Sequence, residues 1–147
     1  MTEKKEVEEV ERKVAEELAK RFNYNPKKLN ELCAFVAALH DFSHQLQENR
    51  YYSEALAKKV FELTLEFDAI SLEVEGLRMR SRQLEDEIET SLLAKRKPAV
   101  NAMKVTQVKK EVEEAWENAM KAHAKLERIL SEIRSEYKRK TFNAFFG

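Results

Sequence analysis

Glycine and proline are nearly absent from this sequence, with two of each among 147 residues. Gly76 and Gly147 lie far apart, so neither a glycine-rich phosphate loop nor a dinucleotide-binding fingerprint can form. A β-sheet would also need more turn residues than the chain offers, whereas long helices need very few. The composition therefore predicts an all-α protein without a nucleotide-binding loop.

Cysteine occurs once, at Cys33, which excludes a disulfide within the chain and makes a reducing compartment the expectation. Its apolar neighbours disfavour the thiolate, so Cys33 is expected to be a core residue and not a nucleophile. No apolar run approaches the roughly 20 residues that span a bilayer. The charged first stretch, MTEKKEVEEVERK, lacks the apolar segment of a secretory signal. We therefore expect a cytoplasmic protein with no membrane partner.

Charge is abundant instead, since 37% of the residues are charged and 43% are apolar, with a formal net charge of zero. The apolar spacing predicts four helices, at about residues 3–22, 26–47, 53–97 and 106–137. We expect residues 1–137 to form one helical domain, followed by a basic and aromatic tail at 138–147. The second segment, LCAFVAALHDF, is apolar on nearly every face, which predicts a helix buried on several sides.

Two of these segments carry a seven-residue repeat of apolar residues. In the third segment, the repeat positions are Val60, Leu63, Phe67, Ile70, Val74, Leu77, Leu84 and Ile88, with Ser81 and Ser91 in polar slots. In the fourth they are Val105, Val108, Val112, Ala115, Ala119, Ala122, Leu126, Ile129 and Ile133. The repeats predict an elongated helical bundle with a long antiparallel coiled-coil hairpin. The third segment is too long to be covered by one chain, so we expect a homo-oligomer.

Two histidines, His40 and His44, lie one helical turn apart in the sequence HDFSH, as on zinc-binding helices. A metalloprotease would have glutamate in place of Asp41, and no third ligand motif follows. Cys33 lies seven residues before His40, on a nearby face. The sequence is therefore expected to hold no metal or other cofactor, and the two histidines to bond to neighbouring side chains. With no paired carboxylates in an apolar setting, we expect a protein that is not an enzyme.

Basic residues gather in two places that could contact nucleic acid. The first set lies in a stretch from Ser91 to Lys110 without any acid, and consists of Lys95, Arg96, Lys97, Lys104, Lys109 and Lys110. The second is Lys138, Arg139 and Lys140, beside Tyr137 and Phe142. Cations among aromatic rings suit single-stranded DNA, with phosphates on the cations and bases on the rings. The alternative is that these cations only offset the dipoles at helix C-termini.

The last stretch, RKTFNAFF, places Arg139, Phe142, Phe145 and Phe146 at positions 1, 4, 7 and 8. This spacing resembles the clamp-binding peptide, or PIP box, of proteins that bind archaeal and eukaryotic sliding clamps. In that motif the four positions hold glutamine, an aliphatic residue and two aromatic residues. The resemblance implies that Phe142, Phe145 and Phe146 enter a pocket of the partner, while arginine replaces the glutamine. The alternative is that the three phenylalanines fold back onto the bundle.

These features predict an accessory protein of DNA replication, recombination or repair that binds nucleic acid, a partner protein, or both. The candidate partners are single-stranded DNA and a sliding clamp or another replication or recombination protein. The layout of the chain is also similar to that of the small helical recombination mediators of phages. The alternative function is a structural or regulatory coiled coil, either a scaffold or an inhibitor, with no role in nucleic-acid binding.

Overall fold

The computed structural model describes residues 2–97 and 100–146. It contains four helices, α1 (Thr2–Phe22), α2 (Pro26–Glu48), α3 (Glu54–Leu93) and α4 (Ala102–Phe146). No strand occurs among these residues. The predicted all-α fold is therefore confirmed.

Polar side chains cap the first turns of α2 and α3. Asn25 Oδ1 accepts a hydrogen bond from the backbone N–H of Lys27, with a distance of 3.0 Å. Ser53 Oγ accepts a longer one, of 3.4 Å, from the backbone N–H of Leu56. Such caps satisfy N–H groups that have no partner inside the helix, which is why the helices begin at these points.

The bounds of the last two helices differ from the predicted ones. α3 ends at Leu93 and not near Lys97, and α4 begins at Ala102 and not near Thr106. Asn101 explains the earlier start of α4, because its Oδ1 accepts a hydrogen bond of 2.9 Å from the backbone N–H of Met103.

The C-terminal end of α4 lies beyond the predicted one, at Phe146 instead of Tyr137. No glycine or proline occurs between these two residues to interrupt the helix. The side chain of Thr141 donates a hydrogen bond of 2.9 Å to the carbonyl oxygen of Tyr137, one turn earlier. The prediction of a separate tail at 138–147 is thus wrong for the described residues 138–146, which continue α4.

The chain forms two compact units, and α2, α3 and α4 each contribute a segment to both. Unit 1 consists of Met1–Cys33 and Val74–Glu114, and unit 2 of Ala34–Glu73 and Ala115–Gly147. All of α1 therefore belongs to unit 1, whereas the bend between α2 and α3 belongs to unit 2.

Unit 1 has a hydrogen bond in its core. Its buried side chains from α1 and the residues after it are Val14, Leu18 and Tyr24. The hydroxyl of Tyr24 lies 2.5 Å from Oγ of Ser81 on α3, and the two residues are almost fully buried. Arg80 Nη1 lies 2.5 Å from Glu111 Oε2, which joins α3 to α4 at the edge of the unit. Ser81, one of the two predicted polar slots, is thus a hydrogen-bonding position in the core.

In unit 2, two ion pairs define the relative direction and register of α3 and α4. Lys59 pairs with Glu132 at 3.1 Å, and Glu66 pairs with Lys125 at 2.8 Å. A step of seven residues forward along α3 therefore matches a step of seven residues backward along α4. The two helix segments of this unit are antiparallel neighbours.

The two predicted repeats mark the residues that are buried. On α3 the buried repeat residues are Val60, Leu63, Phe67, Ile70, Val74, Leu77, Ser81, Leu84 and Ile88. On α4 they are Val105, Val108, Val112, Ala115, Ala119, Ala122, Leu126 and Ile129. Ser91 and Ile133, at the ends of the two repeats, are only half-buried. A seven-residue period keeps one stripe of a helix facing its neighbour, which explains the agreement.

The prediction that the second segment is buried on several sides does not hold within this chain. α2 buries one face, with Leu29, Leu32, Val36, Leu39 and Ser43. Phe42 is 42% exposed and Ala34, Ala37 and Ala38 are not buried. Alanine makes a helix look apolar on every face, although its small side chain gains little from burial.

Candidate functional site

The end of α4 carries an exposed aromatic face. Phe142, Phe145 and Phe146 are 60%, 79% and 77% exposed, and every residue from 137 to 146 is exposed. Side chains three and four residues apart share one side of a helix, and the rings of Phe142 and Phe146 lie 5.0 Å apart. Arg139 precedes Phe142 by three residues on the same side. The structure thus brings the four predicted partner-binding residues to one helix face.

Glu136 holds α4 in place immediately before this face. Its Oε1 accepts a hydrogen bond of 2.7 Å from the backbone N–H of Ser53, and it lies 3.2 Å from Nζ of Lys140. The hydrogen bond from Ser53 lowers the pKa of the Glu136 carboxyl, because it stabilises the charged form. No sequence motif points to Glu136, which joins α4 to the residue that precedes α3.

The second basic set lies on the same part of α4 as the aromatic face. Lys138 and Arg139 are exposed, and Lys140 is paired with Glu136. Only one of the three cations therefore forms an ion pair among the described residues. Cations in the last turns of a helix also offset the partial negative charge of its C-terminus, so this set fits that alternative as well.

The first basic set is divided between the end of α3 and the beginning of α4, within unit 1. Lys109 is half-buried, and the other five residues, Lys95, Arg96, Lys97, Lys104 and Lys110, are exposed. Within residues 2–97 and 100–146, none of the six forms an ion pair with an acidic side chain. The five exposed cations are thus open to solvent and to a ligand, whereas Lys109 is partly covered.

Lys95 has a second role, as the residue that ends α3. Its φ angle is 56°, in the left-handed region that usually favours glycine. The backbone N–H of Arg96 bonds to the carbonyl oxygen of Ser91, and that of Lys95 to the carbonyl oxygen of Leu92. This pattern is a Schellman motif, which satisfies carbonyl groups at a helix end. A substitution of Lys95 therefore changes the backbone as well as the charge.

His40 and His44 meet a third side chain, Asp68 of α3. His40 Nε2 lies 2.5 Å from Asp68 Oδ1, and His44 Nε2 lies 3.1 Å from the same oxygen. The two Nε2 atoms lie 3.2 Å apart. Hydrogen bonds from His44 and His40 lower the pKa of the Asp68 carboxyl. The three residues, which belong to unit 2, could hold a metal ion.

Asp68 had not been identified as a site residue from the sequence. It lies on α3, 28 residues from His40, so no local motif connects the two. The available signal was its position directly after the buried Phe67, which places Asp68 next to the buried stripe of α3. Nothing in the sequence indicated that α2 packs beside this part of α3.

Cys33 is half-buried in unit 1, and burial raises the pKa of its thiol. A raised pKa leaves little thiolate at neutral pH, so the group is a poor nucleophile. The expectation of a core residue is wrong in that Cys33 is only half-buried and lies outside the buried core. Cys33 belongs to unit 1 and the histidine pair to unit 2.

Among the described residues, no helix is both long and apolar enough to cross a membrane. Comparison of the chain with models of protein families, with curated proteins and with solved structures finds no match.

Proposed function

We propose that the protein is an accessory factor of DNA replication, recombination or repair that acts by binding and not by catalysis. Its docking element is the aromatic face of α4, formed by Phe142, Phe145 and Phe146. One observation carries the proposal: three phenylalanines at 60–79% exposure share one helix face without covering any described core. Apolar side chains that are exposed together on one face are typical of interaction sites.

A sliding clamp is the partner class that the spacing favours. The resemblance to the clamp-binding peptide concerns four residues, and the helical end of α4 supports it, because one turn can present the three rings together. Arg139 stands where the motif has glutamine. We therefore expect Arg139→Gln to strengthen binding to a clamp.

The docking proposal predicts that Phe145→Ala combined with Phe146→Ala removes binding while the fold remains. Affinity should fall roughly 30-fold or more, since an aromatic anchor contributes about 2 kcal/mol or more. The melting temperature should hardly change, because exposed side chains contribute little to folding. Titration of the full chain with a purified archaeal or eukaryotic sliding clamp measures the affinity, and a melting curve measures the stability.

Tyr137→Ala is the matched control, since Tyr137 is 67% exposed on the same helix but precedes the aromatic face. It should leave clamp binding unchanged. A large fall in melting temperature on removal of residues 142–147 would mean that the rings belong to a core. Equal losses of affinity in the double variant and the control would mean that the aromatic face is not the docking element.

For nucleic acid, the proposal assigns the phosphate contacts to Lys95, Arg96 and Lys97, and to the other exposed cations of the two basic sets. The variant that tests it combines Lys95→Gly, Arg96→Gln and Lys97→Gln. Glycine suits the left-handed backbone of residue 95, so the end of α3 is preserved. Affinity for single-stranded DNA should fall, and its log–log dependence on salt should flatten by about 0.7 for each phosphate that is no longer neutralised.

The matched control neutralises three exposed lysines of α1, with Lys4→Gln, Lys5→Gln and Lys20→Gln. The control should change the salt dependence much less, because it lies outside the basic set. If the salt dependence of DNA binding is unchanged in the first variant, Lys95, Arg96 and Lys97 do not contact phosphates and serve only the C-terminal end of α3.

The second candidate function is a structural or regulatory coiled coil, a scaffold or an inhibitor. The antiparallel ion pairs between α3 and α4 in unit 2 favour it, and they also support the proposed coiled-coil hairpin. Copies of the chain would then associate through α3, where Phe61, Leu65 and Leu72 are exposed along one stripe. Salt-dependent binding to single-stranded DNA is expected from the first function and not from this one.

A further inference from the structure

We propose that His40, His44 and Asp68 bind one divalent cation of the zinc class, which joins α2 to α3. The sequence alone predicts no metal here, because its HDFSH stretch offers two ligands and no third. Asp68 supplies the third, since its Oδ1 lies 2.5 Å from His40 Nε2 and 3.1 Å from His44 Nε2. The site is independent of the aromatic face and of the basic sets.

Three atoms that can each present a lone pair converge at this point: His40 Nε2, His44 Nε2 and Asp68 Oδ1. A carboxylate oxygen only accepts, and each imidazole Nε2 either carries a proton or presents a lone pair. If the two Nε2 atoms carry protons, each can donate to Asp68 Oδ1, and the two N–H groups then lie side by side with their nitrogens 3.2 Å apart. If one Nε2 carries no proton, its lone pair can accept from the Nε2–H of the other histidine, and it also faces the carboxylate oxygen, which is a second acceptor. A cation among the three lone pairs satisfies all of them at once.

The distances also suit a small metal ion. With metal–ligand bonds of about 2.05 Å, the donor atoms of a tetrahedral zinc site lie about 3.3 Å apart. The observed separations of 2.5, 3.1 and 3.2 Å need an outward adjustment of less than about 1 Å to reach that value. A rotation of half-exposed side chains provides this without moving the helices.

Two buried residues fix the helices that carry the ligands. Thr64 Oγ1 donates a hydrogen bond of 2.9 Å to the carbonyl oxygen of Val60 on its own helix and lies 3.5 Å from the carbonyl oxygen of Ser43 on α2. Ser43 immediately precedes His44, and Thr64 lies one turn before Asp68 on α3. Because Ser43 and Thr64 are buried where the two helices meet, their packing holds the backbone at the site while the ligands remain reachable from solvent.

The donor set selects the type of ion. Two imidazoles and one carboxylate suit Zn²⁺ and the neighbouring first-row divalent ions, whereas Mg²⁺ and Ca²⁺ prefer oxygen ligands. The side chains of His40, His44 and Asp68 are 30%, 43% and 41% exposed, which leaves room for water in a fourth position.

The test is a calorimetric titration of the untagged full chain with Zn²⁺ alone, together with melting curves. One ion should bind per chain, the melting temperature should rise with Zn²⁺ concentration, and Mg²⁺ should have no effect. Asp68→Asn keeps the size of the side chain and removes the anionic ligand. It should weaken Zn²⁺ binding by more than about tenfold, the reduction that even an outer-sphere change causes.

His123→Gln is the matched control, because His123 is the only other histidine and lies on α4. It should bind Zn²⁺ like the unaltered chain, and so should Cys33→Ser. Absence of a Zn²⁺-dependent melting shift would overturn the proposal. So would tight binding that survives Asp68→Asn, or that disappears with His123→Gln or Cys33→Ser.

Discussion

Replacing Leu77 with alanine is expected to lower the free energy of unfolding by about 2–5 kcal/mol, the range for large-to-small changes in a core. Leu77 is 0% exposed, on the buried stripe of α3. The substitution removes buried apolar surface and leaves a cavity that the rigid helix cannot fill. Leu126→Ala, at a buried position of α4 in unit 2, should have an effect in the same range. Denaturant unfolding of each variant measures the difference.

Leu72→Ala is the control for this prediction. It makes the same chemical change on the same helix, but Leu72 is 77% exposed. Its effect should stay within about 0.5 kcal/mol, as for most surface positions. Equal losses in the free energy of unfolding for Leu72→Ala and Leu77→Ala would mean that Leu77 is not part of a buried stripe of α3.

The second large effect is expected at the hydrogen bond between Tyr24 and Ser81. Tyr24→Phe leaves the buried hydroxyl of Ser81 without this partner, and Ser81→Ala does the same to Tyr24. Each should destabilise the protein by about 1–3 kcal/mol, the cost of a buried polar group left unpaired. Burial raises the pKa of Tyr24, so the phenol stays protonated and available as a donor.

The double variant, Tyr24→Phe with Ser81→Ala, separates a hydrogen bond from simple packing. It removes the two polar groups together, so the total destabilisation should be clearly smaller than the sum of the two single effects. Denaturant unfolding of the four proteins completes the cycle. Additive effects would mean that the two groups do not depend on each other.

The core of α3 and α4 could be predicted from the sequence because burial repeats along each helix. A residue such as Leu77 belongs to a period of seven, and a period is visible without knowledge of any partner. The sequence of α2 shows no such periodic difference between an apolar and a polar face. Its alanines made every face apolar, so the sequence did not show that Phe42 lies outside the buried face.

The two candidate sites also differ in whether the sequence could predict them. The aromatic face of α4 depends on spacing within ten residues, which a sequence displays, although its helical state was missed. Asp68 could not be found, because its contact with His40 depends on how two helices pack. The polar groups that a packing arrangement brings together have no signature along the chain.

The two ion pairs between α3 and α4 have opposite charge order, and this restricts the register of the two helices. A seven-residue repeat lets one helix slide along its neighbour by seven residues with its apolar stripe still covered. Lys59 pairs with Glu132 and Glu66 with Lys125, so the sign of the charge on α3 reverses from one pair to the next. A slip in one direction would place Lys59 against Lys125. A slip in the other would place Glu66 against Glu132 and Lys59 against Arg139, so like charges oppose a shift either way.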